Sequence, residues 1–227
     1  MRRALALSAA LLALPVSTQA QEALASFEWF SLEDGGAHEA ERTAFDRPAL
    51  PEGWTRKSGD AQQGFMVRDG ALAIMGNPVP LAGDGAPSMF GKAPASADFS
   101  AQTLLDYRAL EEGDVAGLAA MRGPDRWLSI QVEIIEPADL IAVRRRADSG
   151  DPPGGKLVYT TALPGSFGDR VILRLDVANG QAMLLYAGGN GLWQVLAEDI
   201  DVGFLSSAGS GDPQTTIVGP YAVDGAE

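Results

Sequence analysis

Apolar and polar residues alternate through much of this chain, and "DRVILRLDV" shows the pattern best. Val171, Leu173, Leu175 and Val177 fall on one face, whereas Arg170, Ile172, Arg174 and Asp176 fall on the other. A pattern that returns to the same side at every second residue is that of a half-buried β-strand. Asn179-Gly180 follows, two residues that accept the positive φ angles of a tight turn, and then "QAMLLY". Residues 170–186 therefore read as a β-hairpin. Asp69-Gly70, between "GFMVR" and "ALAIM", signals a second one. Further strands are expected at 98–107, 115–121, 127–135, 140–146, 156–163, 192–197 and 215–223. They recur at short intervals between glycines and prolines, and no amphipathic helix pattern interrupts them. The expectation is an all-β protein, an antiparallel β-sandwich of jelly-roll type. Residues 31–63 are loop-rich and receive no assignment. No repeat, low-complexity tract or linker divides the chain.

The first twenty residues, "MRRALALSAALLALPVSTQA", place Arg2 and Arg3 before an apolar run and end on small residues. This is the pattern of a secretory signal peptide over 1–20, with a single domain over 21–227 and a periplasmic or extracellular location. No later stretch approaches the roughly 20 apolar residues of a membrane span. The chain has no cysteine. Disulfides and thiolate metal sites are thus ruled out, and an exported fold of this kind must rest on packing.

Residues 1–20 hold two of the 17 basic residues and none of the 30 acidic ones, so the remainder carries a net charge of −15. Nucleic acids and anionic membranes, which require clustered Lys and Arg, are disfavoured as partners.

The residues also resemble a known family. The carriers are "LPEGWTRKSGD" followed by "GFMVRDGALAIMG", "APSMFGKAP" leading into "DFSAQTLLDY", "EEGDVAGLAAMRGPDRWLSIQVE", and "NGLWQVLAEDIDVGFLSS" with the late "TTIVGPYAV". In order and spacing they are similar to the C-terminal concanavalin A-like β-sandwich domain of glycoside hydrolase family 43 β-xylosidases and arabinofuranosidases. The resemblance implies a concanavalin A-like sandwich related to carbohydrate. It implies no catalytic residue, since that family's acid and base lie in a separate propeller domain. After "MFGK" this chain has "APASA" at 93–97, where the family tends to have a basic, glutamine-rich stretch ending in an aromatic that reaches over the propeller. The resemblance therefore predicts that such a lid function is lost. It also aligns Trp193, which follows the turn "GGNG", with a family tryptophan, and predicts that its indole packs in the core or against the hairpin.

Candidate chemistry is sparse. His38 is the only histidine and lies in the acidic stretch "GGAHEAE", where a solvated loop is the simpler reading than a catalytic base. Glu133 and Glu136 are three residues apart and face opposite sides of a regular strand, and Asp199 and Asp201 lack the flanking pattern of sandwich glycosidases. A structural calcium would have to use "SLEDGG", "AEDID" or "GSGDP", none with a recognisable ligand order. A sugar surface needs aromatic rings beside hydrogen-bonding groups. Trp127, Ser129, Gln131 and Glu133 share one face of their strand and form the best such stripe, and neighbouring strands add Arg144, Arg146 and Tyr159. Trp127 has a second reading as a partly buried structural aromatic, and the Arg144–Arg146 pair as an ordinary solvated edge.

The expected function is an exported, non-catalytic carbohydrate-binding module, with xylan- or arabinan-type chains as ligands and Trp127, Gln131, Glu133, Arg144 and Tyr159 as contacts. Two alternatives stand beside it. One is a glycoside hydrolase using acids on the concave sheet, which requires two carboxylates converging in a cleft. The other is a protein-interaction module, which requires a broad apolar patch.

Overall fold

A computed structural model describes residues 22–30, 41–57, 64–83, 85–189, 191–206 and 215–225. The expected signal segment, His38, "SLEDGG" beyond Phe30 and the core of "GSGDP" lie outside the described residues. The described strands pair antiparallel into two sheets. The first runs in the order β14 (Trp193–Asp201), β13 (Gln181–Ala187), β12 (Arg170–Ala178), β7 (Phe99–Asp106), β1 (Glu22–Phe30), β5 (Ala71–Met75) and β4 (Phe65–Arg68). A short β2 (Glu41–Arg42) pairs with the end of β1. The second sheet runs β11 (Lys156–Ala162), β10 (Leu140–Arg146), β9 (Arg126–Glu133), β8 (Val115–Gly123), β15 (Ile217–Val223), β6 (Ser88–Lys92) and β3 (Trp54–Arg56). Every element placed by alternation is a strand, so the all-β expectation holds.

Both hairpins form where the turn residues placed them. Asp69 and Gly70 have φ of 52° and 77°, Asn179 and Gly180 of 52° and 74°. Two successive positive φ angles give the turn whose twist matches that of the flanking strands. On β12 the alternation is obeyed: Val171, Leu173 and Leu175 are fully buried, whereas Arg170 is exposed. They meet Leu128, Ile130 and Val132 of β9 in one core between the sheets. Each such side chain contributes about 2 kcal/mol when removed from water.

Four strands were not foreseen: β1, β2, β3 and β6. The segment 31–63, left unassigned, supplies Phe45 and Trp54 to the core, packed edge to face with ring centroids 5.2 Å apart. β6 pairs with β15 so closely that a Cβ on Gly219 would sit 2.0 Å from the Phe90 carbonyl oxygen. Only glycine is compatible with that approach.

Of the two packings expected for Trp193, in the core or against the hairpin, the structure shows the second. Trp193 pairs with Ala187 at the outer edge of the first sheet and is 39% exposed. Its ring lies 5.6 Å from the Arg174 guanidinium, which in turn donates from Nε to Asp176 Oδ1 at 2.7 Å. The indole is held by a cation above its face and not by the core.

Candidate functional site

β9 sends Leu128, Ile130 and Val132 into the core, so Trp127, Ser129, Gln131 and Glu133 lie on the opposite face of the second sheet. That face is itself covered. Trp127 packs there with Leu81, Met89, Met121, Ile217 and Tyr221, in an apolar cluster separate from the main core. The turn before β11 presses on the indole, since a Cβ on Gly155 would lie 2.5 Å from its Cη2 atom, and Gly155 has φ of 74°. Trp127 is thus 3% exposed, a buried aromatic and not an open stacking platform. Its Nε1 has no hydrogen-bond partner among the described residues.

Beyond the indole the same face carries a ladder of polar groups. Ser129 Oγ donates to Gln131 Oε1 at 2.7 Å, and Gln131 Nε2 donates to Glu133 Oε1 at 2.7 Å. The Tyr221 hydroxyl donates to the same Gln131 oxygen. Arg144 grips both carboxylate oxygens of Glu133, from Nε at 2.6 Å and Nη2 at 3.3 Å. Arg144 stands opposite Ser129 in the register, and it reaches Glu133 by lying along the strand past the small side chain of Ala142. Hydrogen bonding to Glu133 outweighs burial and holds the Arg144 guanidinium above its usual value. A bidentate, charge-assisted pair of this kind fixes both side chains in one geometry.

The ladder floors a cleft of about 380 Å³. Trp127, Gln131, Glu133, Arg144 and Tyr221 form its base, and Leu81, Ile135, Pro153 and Val223 stand among its walls. The structure therefore brings together four of the five expected contacts. Tyr159 is the exception. It pairs with Val143, whose side chain enters the core, so Tyr159 faces away from the cleft and is 52% exposed. A register shift between Val143 and Arg144 separates the two faces at this point. Arg146 lies beyond the cleft and donates from Nη1 to the Pro124 carbonyl at 2.8 Å. Tyr221 and Asp114 were missed. The signal for Tyr221 was available, because a hydroxyl-tipped ring inside the apolar strand "IVGPYAV" needs a polar partner when buried.

Asp114 is the second carboxylate lining the cleft. Both its oxygens are engaged by the backbone, Oδ2 by the Glu111 amide at 2.8 Å and Oδ1 by the Gly225 amide at 2.9 Å. Among the described residues no three His, Cys, Asp or Glu side chains form a group suited to a metal ion. No described helix is long and apolar enough to cross a membrane.

Burial pushes the Tyr221 hydroxyl above the ordinary tyrosine range, and with it Tyr107, up to about 12. Both are held protonated in the fold, so this stability is present below the ordinary tyrosine range and is lost as pH rises through the folded values. An ultraviolet titration should show both ionising only as the protein unfolds in alkali. Early, reversible ionisation of every tyrosine would contradict their burial.

The comparisons with known proteins agree with this architecture. Residues 42–227 match the model of the β-xylosidase C-terminal concanavalin A-like domain. The chain belongs to this family. Among solved structures, the xylan β-1,4-xylosidase of Bacillus halodurans superposes with a TM-score of 0.69 at 19% identity, covering 85% of this chain and 38% of that one. A family 43 protein of Bacillus licheniformis gives 0.68 at 20%, covering 81% and 35%. A functionally unknown protein from Saccharomyces cerevisiae gives 0.54 at 15%, covering 77% and 87%. The chain thus spans a little over a third of the length of the two family 43 proteins, and at these identities the likeness is one of fold. The search of curated proteins finds no match.

Proposed function

We propose that this is an exported, non-catalytic carbohydrate-binding domain that takes xylan- or arabinan-type chains in the cleft on the outer face of the second sheet. The observation that carries the reading is the ordered ladder of Gln131, Glu133 and Arg144 at the base of a cleft with largely apolar walls. Adjacent sugar hydroxyls are a donor and acceptor pair, and a carboxylate and guanidinium held side by side present the complementary pair. The walls from Leu81, Ile135 and Val223 offer apolar surface to the C–H faces of a ring. A neutral polysaccharide also meets no repulsion from an acidic chain. Family membership supports the ligand class, because the relatives it joins are named for xylosidase activity.

The same geometry favours binding over hydrolysis. Glycosidase carboxylates need one group free to give a proton and another free to attack or activate water. Here Glu133 is held by Arg144 and Gln131, and Asp114 by two backbone amides. Export rests on the N-terminal pattern of residues 1–20.

The purified protein should be retained on insoluble xylan or arabinan without releasing soluble sugars. Glu133→Gln, which keeps the shape and removes the charge, should weaken retention by about tenfold, the equivalent of one charge-assisted hydrogen bond. Release of oligosaccharides would overturn the reading in favour of a hydrolase. Absence of both retention and release on all four of xylan, arabinan, cellulose and β-glucan would leave a protein partner as the better account.

A further inference from the structure

The nine large hydrophobic side chains exposed among the described residues are unevenly placed. Six of them, Leu157, Val158, Tyr159, Leu192, Trp193 and Val195, stand on β11 or on β14 and the turn before it. β11 ends the second sheet and β14 ends the first, and the two strands approach each other along one side of the sandwich. This side is therefore both apolar and edged by backbone. The Leu163 amide donates to the Asp139 carbonyl at 2.9 Å, so the odd-numbered residues beside it bond inward to β10. By the alternation of an antiparallel ladder, Thr160 and Ala162 turn their N–H and C=O groups to the open edge. The strand "KLVYTTA" holds no glycine or proline, and its one lysine stands at its first residue. Exposed apolar edges of this kind are templates for another strand.

Charge selects the occupant. The end of β10 and β11 that holds Lys156 also holds Arg145 and Arg146, against Asp148 and Asp151, the latter bound by Lys156 at 2.5 Å, and so keeps a basic excess of one, while the other end is flanked by Glu136 and Asp139. An antiparallel strand that is basic where this edge is acidic, and acidic where it is basic, is β11 itself, turned about a two-fold axis. With the axis at Thr160, Tyr159 of one copy meets Thr161 of the other, and Lys156, beyond the bulge at Val158, comes to the end marked by Asp139. From these placements we infer that the protein forms a two-fold dimer by pairing β11 with β11 of a second copy.

One functional consequence follows from the pairing. Residues directly opposite in an antiparallel ladder point to the same side, so the two-fold axis stands perpendicular to the joined sheet. Both Gln131–Glu133–Arg144 clefts then open on one side of a continuous sheet. A polymer bound at one cleft meets the second as an intramolecular event. The dimer itself is independent of what the clefts bind.

The test is sedimentation velocity of the purified protein over a wide range of concentration, with Thr160→Pro and Val158→Lys alongside. Proline at 160 removes an amide that faces outward, and so leaves the β10 ladder intact. Lysine at 158 places a charge on the strand edge. The wild type should sediment as a dimer, and each variant should raise the dimer dissociation constant about tenfold or more while keeping its melting temperature. A wild type that stays monomeric throughout, dimers that persist undiminished in both variants, or open-ended oligomers would each overturn the inference. If the proline variant fails to fold, the lysine variant still decides between these outcomes.

Discussion

Removing Glu22–Phe30 should abolish the cooperative unfolding transition of this protein. β1 is an interior strand of the first sheet, although the family match begins only at residue 42. It pairs with β7 over seven residues, from Leu24 opposite Asp106 to Phe30 opposite Ser100. Its other side pairs with β5 over four, from Glu22 opposite Met75 to Ala25 opposite Leu72. Without it the β4–β5 hairpin loses its attachment to the rest of the sheet, and β7 keeps only its bonds to β12. Leu72, Ile74, Leu105 and Ala101, all fully or almost fully buried, lie on the two strands that would border the gap. Net hydrogen bonds worth about 1 kcal/mol each, together with several uncovered apolar side chains, amount to the whole stability of an ordinary domain, roughly 5–15 kcal/mol. A chain beginning at Glu41 should therefore lose its near-ultraviolet circular dichroism and melt without a transition. A melt within a few degrees of the intact protein would show that β1 is dispensable.

That strand also marks where sequence reading runs out. "EALASFEWF" mixes Leu24 and Phe30 with Glu22, Ser26 and Glu28 at alternate positions and sets small alanines between them, a weaker alternation than that of β12, which is interior as well. β6 hides for another reason: "SMFGK" is short, and its Gly91 answers to the close approach of β15 and not to a turn. The candidate site was legible as far as period two reaches. Alternation alone put Trp127, Ser129, Gln131 and Glu133 on one face, and the structure places them there. It could not show that a loop covers Trp127, because Gly155 stands 28 residues further along the chain. Nor could it place Tyr159, since a single register shift in β11 exchanges the faces of everything beyond it. The choice between core and hairpin for Trp193 was hidden in the same way: its partner Ala187 is small enough to be buried on either side of a sheet, so neither residue reveals the direction of the other.

Arg144→Ala should destabilise the protein by about 2–3 kcal/mol, a fall of roughly 5–10 °C in Tm for a domain of this size. The loss comes from what remains. Glu133 is 7% exposed, and with Arg144 gone its carboxylate keeps, among the described residues, the single side-chain donor Gln131 Nε2 at the base of an apolar-walled cleft. The guanidinium is itself partly open to water, with 29% of its side chain exposed, which keeps the cost below that of a fully buried pair. Glu133→Gln should cost less, because an amide leaves no charge behind and can still accept from Arg144. The combination Glu133→Gln with Arg144→Ala should then be more stable than Arg144→Ala alone, with a coupling of 1 kcal/mol or more in a double-mutant cycle, about the range found for contacting charged pairs. Strict additivity would mean that water already screens the pair, and that the ladder from Ser129 to Arg144 is a surface arrangement with no hold on the cleft. Rescue of stability without rescue of xylan retention would separate the two roles, since the double variant restores the charge balance of the floor but not the donor and acceptor pair that a sugar diol requires.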